Sequence, residues 1–145
     1  MPTLEDALEL ALQAHRGQQD KAGAPYILHP LRLMLRMEDE TGRMVALLHD
    51  VIEDSPFTLE DLRERGYSEE ILRALDALTR HPEESYAEFI ERAGQDTVAR
   101  RVKLADLEDN MDLRRLAQLG PADAERLARY RAAWSSLRHR DQSGL

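Results

Sequence analysis

Apolar residues recur every three or four positions along most of the chain, a spacing that is typical of amphipathic α-helices. The first such run places Leu4, Leu8 and Leu12 on one face. No segment shows the alternation of polar and apolar residues that predicts a half-buried strand. The pattern predicts roughly seven to eight helices near residues 3–17, 30–41, 43–52, 58–66, 68–79, 85–94, 96–113 and 121–137. We therefore predict an all-α helical bundle.

Capping signals mark several of the predicted helix starts. A Ser or Thr side chain accepts a backbone N–H of the first turn, and an acidic residue three positions later returns a hydrogen bond. The chain carries this pattern at Thr3–Asp6, Thr58–Asp61 and Ser85–Glu88, with single caps at Ser68 and Asp96. The starts of five helices follow from these signals.

The predicted helix over residues 43–52 differs from the others in its composition. Residues 44–48 are apolar on almost every side of the helix, which predicts a central position in the core. The helix before it is predicted to have Pro30 in its first turn. His29 would then lie at or near the N-cap.

Length and composition indicate one folded unit. The chain has 145 residues, which suits a single domain with one hydrophobic core over about residues 4–137 and a polar, frayed tail over residues 138–145. It contains no Cys, so disulfides and thiolate metal sites are excluded. Any metal must therefore be bound by His and carboxylate side chains.

Charge limits the class of partner. The net charge is −8, with 28 acidic and 20 basic residues, so long polyanions such as DNA would be repelled. A small phosphorylated substrate remains feasible where basic groups converge. We find neither an apolar run that could cross a membrane nor a signal peptide, and we expect a cytoplasmic protein without membrane or nucleic-acid partners.

Three places combine metal-ligand side chains with an apolar context. They are His29 at a helix start, the pair His49 and Asp50 after the most apolar segment, and Asp106 within residues 102–110. An ionised carboxylate among Val, Leu and Ala is costly unless it is paired or bound to a cation. Two His with two carboxylates suit a divalent ion such as Mn²⁺, Fe²⁺ or Zn²⁺. We therefore predict a metal site formed by these four residues.

The same residue types also have structural roles in proteins. Asp106 alone is also a candidate salt-bridge partner of Lys103 or Arg101. His15 is expected in the core or beside the ligands rather than among them, and His81 and His139 are expected to face solvent. The ordered set of His, His-Asp and Asp within apolar helices favours the metal site.

Several sequence segments resemble the opening, second and last motifs of the hydrolase domain of RelA/SpoT-type alarmone enzymes, a branch of the HD superfamily. The similar segments run in the same order as in that family, from about residue 4 to residue 116. They are residues 14–18 (AHRGQ), 21–23 (KAG), 25–30 (PYILHP), 46–55 (ALLHDVIEDS), 102–106 (VKLAD) and 110–111 (NM). The short chain is similar in scale to a stand-alone small alarmone hydrolase.

The resemblance implies a fold, a cofactor and a reaction. The family fold is an all-α HD bundle with one Mn²⁺, and its reaction removes pyrophosphate from the ribose 3′ position of ppGpp. The implied metal ligands are the four residues predicted above. Glu53 and Asp54 match the positions near the attacking water, Lys21 and Asn110 match substrate contacts, and Tyr26 matches a position next to the pocket. Arg16, Arg80 and Lys103 are further candidates for phosphate contacts, each of which could equally be a helix-surface charge.

The chain departs from the family pattern at four positions. The family has a basic residue where this chain has Asp20. Three further basic or His positions of its last motif are Leu107, Asp109 and Asp112 here. These changes remove positive groups from the expected substrate site, which puts ppGpp as the substrate in doubt more than the phosphohydrolase class.

Alternative functions stay open at this point. One is a nucleotidase or pyrophosphohydrolase with another nucleotide substrate. Others are a non-catalytic module that binds a nucleotide or a metal, and a helical interaction module without a metal. Trp134, Leu127 and Tyr130 on the last helix would either pack on the core, which we favour, or form a dimer face. The sequence is compatible with a monomer or a homodimer.

Overall fold

The structure is a computed structural model that describes residues 1–142. Within these residues every regular element is a helix and none is a strand, which confirms the all-α prediction. The described elements are α1 (Leu4–His15), α2 (Leu28–Leu35), α3 (Glu40–Leu48), α4 (Val51–Asp54), α5 (Leu59–Glu64), α6 (Glu69–Ala77), α7 (Tyr86–Gln95), α8 (Thr97–Asn110), a 3-10 helix (Leu113–Arg115) and α9 (Pro121–Gln142).

The predicted caps form the expected hydrogen bonds. The capping boxes that begin at Thr3, Thr58 and Ser85 are complete in both directions. Ser68 and Asp96 accept a backbone N–H at the starts of α6 and α8. Local sequence therefore determines where these five helices begin.

The helix predicted over residues 43–52 is interrupted, which adds one element to the predicted number. α3 ends at Leu48, and α4 begins after Asp50, whose backbone leaves the helical region at φ −106° and ψ 1°. The imidazole Nδ1 of His49 donates to the carbonyl of Ala46 at 2.7 Å. This is the carbonyl to which a continuing helix would bond, so the side chain of His49 competes with the next helical turn.

Other predicted boundaries differ as well. The helix predicted over residues 30–41 ends at Leu35, and α3 begins at Glu40 instead of Arg43. α2 begins at Leu28 after the N-cap Ile27, so His29 lies inside the first turn rather than at the cap. α8 ends at Asn110 instead of Leu113. α9 extends to Gln142, so the predicted frayed tail is wrong for residues 138–142; residues 143–145 lie outside the described part of the chain.

The extra turn of α9 is explained by contacts with other helices. Asp141 lies 3.1 Å from Nε of Arg100, and Arg140 donates to Glu91 at 3.1 Å. Leu137 is 2% exposed and packs in a cluster of α7, α8 and α9. Tertiary contacts thus extend a helix end that is polar in sequence.

The main core confirms the central position of α3. Residues 45–48 are completely buried, and α3 packs against α1, α2, α6 and α8. Trp134 and Tyr130 of α9 are partly buried against the second cluster, as favoured from the sequence. None of the helices described within residues 1–142 has the length and apolar content required to span a bilayer.

Candidate metal centre

The four predicted ligands converge from two helices and the turn between two others. His29 comes from the first turn of α2, His49 and Asp50 from the turn between α3 and α4, and Asp106 from α8. The ligand atoms of His29, His49 and Asp50 lie within 4.8 Å of one another. Oδ1 of Asp106 lies 2.9 Å from Nε2 of His29 and 3.6 Å from Nε2 of His49. Residues that are 77 positions apart in the chain thus meet in one cluster.

Both imidazoles are oriented by partners at Nδ1. Nδ1 of His49 donates to the carbonyl of Ala46, which can only accept. Nδ1 of His29 donates to the carboxylate of Asp109 at 2.6 Å. The Nε2 atoms of both rings therefore face the cluster, as is usual for His ligands whose other nitrogen is held by an acceptor.

One structural observation, independent of the sequence pattern, indicates that the cluster fits a divalent cation. Nε2 of His49 is buried and has no hydrogen-bond partner among residues 1–142, although Oδ2 of Asp50 lies 3.0 Å from it. A buried polar atom without a partner is costly. Two imidazole nitrogens and two carboxylates are the donor set expected for a borderline or hard divalent ion.

The carboxylate of Asp106 has partners on both oxygens. Lys103 lies 2.9 Å from Oδ2, so the salt bridge considered from the sequence is present beside the cluster. Asn110 donates to Oδ1 at 3.0 Å. The proposed ligand is therefore held in place by its own helix at positions i−3 and i+4.

Charges in the cluster favour added positive charge. Burial opposes ionisation of Asp106, but Lys103 and the two imidazoles hold the pKa of Asp106 well below its usual range. Burial likewise opposes ionisation of Asp50, but His49 lowers its pKa to about 2. Burial disfavours the charged imidazoles, yet the neighbouring carboxylates raise the pKa of His29 and, more strongly, of His49. A divalent cation would satisfy the same carboxylates.

The predicted catalytic carboxylates lie on α4, directly after this cluster. Oε1 of Glu53 accepts the backbone N–H of Arg80 at 2.6 Å. Partial desolvation raises the pKa of Glu53 and of Asp54, and the charge of Asp50 adds to both shifts. Both residues are exposed to solvent, so each carboxylate is accessible to water.

A cavity of about 240 Å³ opens beside His29. Three of the predicted substrate contacts, Lys21, Tyr26 and Asn110, line it, and the hydroxyl of Tyr26 also donates to Asp50. Arg16 is exposed at the C-cap of α1 and is not among the residues that line the cavity. The side chain of Arg80 contacts the carbonyl of Glu84, and Arg80 is not among the residues that line the cavity.

The four residues that differ from the family pattern all have partners within this chain. Asp20 accepts the backbone N–H groups of Ala22 and Ala24, and Asp112 pairs with Arg114. Leu107 is 1% exposed and packs with Leu137 of α9. Asp109 accepts from His29, as described above. Each of the four side chains is therefore held by contacts within this chain.

Some residues of the site could not be identified from sequence. Asp109 has one signal, because it lies three positions after Asp106 and so shares its face of α8. Arg115 and the α9 residues Arg126 and Tyr130 also line the cavity. They have no local sequence signal, since only tertiary packing brings the 3-10 helix and α9 to the cavity.

Comparisons with known proteins relate the chain to named enzymes. No family model matches the chain. A guanosine-3′,5′-bis(diphosphate) 3′-pyrophosphohydrolase of Aquifex aeolicus is 31% identical over 74% of the chain, and the bifunctional (p)ppGpp synthase/hydrolase SpoT of Escherichia coli is 32% identical over 94% of it. A GTP pyrophosphokinase of Streptomyces coelicolor is 36% identical over 68% of the chain. These alignments cover 17%, 21% and 12% of the relatives' lengths, so the chain spans about a fifth of them or less.

A solved structure of a metazoan SpoT ortholog, described as hydrolysing ppGpp, superposes with a TM-score of 0.77. It is 25% identical in sequence, and the match covers 95% of this chain and 88% of that one. Fold and sequence thus agree over nearly the whole chain. The chain is an HD-type helical domain related to the RelA/SpoT-type ppGpp hydrolases.

Proposed function

We propose that the chain is a metal-dependent phosphohydrolase that removes the 3′-pyrophosphate of ppGpp. The observation that carries this proposal is the convergence of two buried imidazole Nε2 atoms and two carboxylates beside a cavity that carries Lys21. A relative whose name states this activity aligns with 94% of the chain.

His29, His49, Asp50 and Asp106 would hold one divalent metal, for which we propose Mn²⁺, with Fe²⁺ or Zn²⁺ as chemically suitable substitutes. When bound, such an ion activates water and polarises a phosphoryl oxygen. Lys103 and Asn110 keep the carboxylate of Asp106 in position, and Tyr26 does so for Asp50.

Glu53 is the proposed general base, with Asp54 as the second candidate. A raised pKa brings a carboxylate closer to the operating pH, which improves its ability to accept a proton from the attacking water. The backbone N–H of Arg80 fixes one oxygen of Glu53, leaving the other for this water. Lys21 offsets charge on a substrate phosphate, and Asn110 is placed at the cavity wall to contact the sugar.

One observation favours a second candidate, a pyrophosphohydrolase or nucleotidase that acts on a less charged nucleotide. Among the cations that line the cavity, Arg115 pairs with Asp20 and Asp109, and Arg126 pairs with Asp123. These cations are partly neutralised before any substrate binds. A substrate with fewer phosphates needs fewer free cations.

The test is phosphate and pyrophosphate release from ppGpp and a nucleotide panel by metal-stripped protein reloaded with Mn²⁺. We expect pyrophosphate from ppGpp with wild-type protein and none with Asp50→Ala. Glu108→Ala, an exposed carboxylate on α8, is the matched control and should retain wild-type release. Release from another nucleotide alone would support the second candidate, and no release from any nucleotide would support a binding module.

A second experiment separates metal binding from catalysis. Glu53→Gln keeps an oxygen for the N–H of Arg80 but cannot accept a proton. We expect unchanged Mn²⁺ binding and a rate lower by roughly a hundredfold to ten-thousandfold, the usual contribution of a general base. Wild-type turnover by this variant would exclude Glu53 as the base.

A further inference from the structure

The carboxylate of Asp109 is fully engaged although it lies next to a cavity that suits an anionic ligand. Its side chain is 4% exposed. It accepts from Nδ1 of His29 at 2.6 Å, from Nε and Nη2 of Arg32 at 2.8 and 3.0 Å, and from Nη1 of Arg115 at 2.9 Å. Asp109 therefore does not present free negative charge to the cavity.

Asp109 and Asp106 contact opposite nitrogens of the same imidazole. They lie three residues apart on one face of α8, and Asp106 approaches Nε2 of His29 at 2.9 Å while Asp109 holds Nδ1. The ring is thus fixed in position between the two carboxylates, with Nε2 directed at the cluster. A carboxylate at the outer nitrogen also makes an imidazole a better electron donor to a metal.

The same carboxylate is linked to the loop that carries Lys21. Arg115 donates from Nη1 to Asp109 and from Nη2 to Asp20, the latter at 3.1 Å. Asp20 in turn accepts the backbone N–H groups of Ala22 and Ala24, at 2.9 Å each. A continuous chain of hydrogen bonds therefore runs from His29 to the loop around Lys21.

We propose that Asp109 is a positioning residue, which orients His29 for metal binding and anchors the Lys21 loop to the metal centre through Arg115. The inference rests on the proposed metal site. The alternative is that Asp109 serves only the stability of the fold, as the partner of Arg32 and Arg115. The two roles differ in their effect on metal affinity, which is measurable without turnover.

The experiment compares the Mn²⁺ affinity of wild-type protein, Asp109→Ala and Asp109→Asn, by competition with a fluorescent chelator. We expect Asp109→Ala to weaken binding by roughly tenfold to a hundredfold, the usual cost of removing a partner behind a metal-ligating His. Asp109→Asn, which keeps one acceptor oxygen, should lose less. Wild-type affinity in a folded Asp109→Ala protein would overturn the inference.

Arg32→Gln is the matched control for a merely structural role. It removes both bonds from Arg32 to Asp109 but leaves the bond to His29 in place. We expect it to lower the free energy of unfolding with much less effect on Mn²⁺ affinity. An equal loss of affinity in Arg32→Gln and Asp109→Ala would show that the cluster acts only through stability.

Nuclear magnetic resonance of the Zn²⁺-loaded protein gives a second readout. The Nδ1 proton of His29 should exchange slowly in the wild type, faster in Asp109→Asn and fastest in Asp109→Ala. The Asp109→Asn comparison also serves if Asp109→Ala does not fold. Exchange at the wild-type rate in every folded variant would overturn the inference.

The outcomes also separate this inference from the proposed function. If wild-type protein binds no divalent metal, the metal site and the inference both fail. If it binds metal with the predicted dependence on Asp109 but releases nothing from ppGpp, only the proposed function fails.

Discussion

The ammonium nitrogen of Lys103 lies 2.9 Å from Oδ2 of Asp106, and the two side chains are only 13% and 9% exposed. Lys103 also lies 5.0 Å from the centre of the Phe89 ring. Its charge balances a buried carboxylate, so its Nζ is committed to the metal centre in this structure. From the sequence, Lys103 is also a candidate for a contact with a substrate phosphate. In the structure its ammonium group pairs with Asp106 instead.

Replacing Lys103 with Met should therefore destabilise the metal-free protein. The variant removes the lysine that pairs with the buried carboxylate of Asp106, at a cost of about 3 kcal/mol in the free energy of unfolding. Urea unfolding measures this loss. Added Mn²⁺ should restore part of it, since the cation pairs with the same carboxylate. The exposed neighbour Arg101→Met is the control, with an expected change within about 0.5 kcal/mol.

The position of Leu107 makes a second prediction. Because Leu107 is 1% exposed beneath α9, restoring a basic residue with Leu107→Arg would bury an unpaired charge. We expect a loss of at least about 3 kcal/mol in urea unfolding. Glu108→Arg introduces the same side chain at the exposed neighbouring position and should have little effect. Equal stabilities of the two variants would contradict the packing of α9.

Asp20 gives a third prediction. Its Oδ1 caps the amides of Ala22 and Ala24, so Asp20→Ala should speed hydrogen exchange at both amides. Asp20→Asn keeps an oxygen for them and should retain slow exchange. Exchange at wild-type rates in Asp20→Ala would mean that this carboxylate does not order the loop.

The ion pair between Glu84 and Arg92 gives a prediction for pH. Hydrogen bonds from Arg92, at 2.6 and 2.9 Å, and from the backbone of His81 lower the pKa of Glu84 from 4.5 to about 2. A lowered pKa in the folded state means that the stabilisation is complete above pH 4.5 and is lost as the pH falls through 2.

Glu84→Gln should accordingly be less stable than wild type at neutral pH, with a difference that narrows as the pH falls below 4.5. Urea midpoints over a pH series measure the difference. Glu83→Gln changes the exposed neighbouring carboxylate and should follow the wild type throughout. A difference that grows on acidification would refute the sign of this contribution.

Much of the fold could be predicted because helices are encoded locally. The periodicity of apolar residues and the caps at Thr3, Thr58 and Ser85 act within one or two turns, so a single sequence contains the necessary information. The residues of the candidate metal centre could be predicted from the sequence for a related reason. Ionisable residues such as Asp106 within an apolar helix require a partner, and their types limit its chemistry.

The sequence by itself determined the five capped helix starts, the central position of α3 and the residue types of the candidate metal centre. Only the tertiary structure decided the extension of α9 and the contact between Asp109 and His29. His29 and Asp109 are 80 residues apart, and their contact depends on how α2 packs against α8. Such contacts have no local signal, because their energy arises between elements and not within a helical turn.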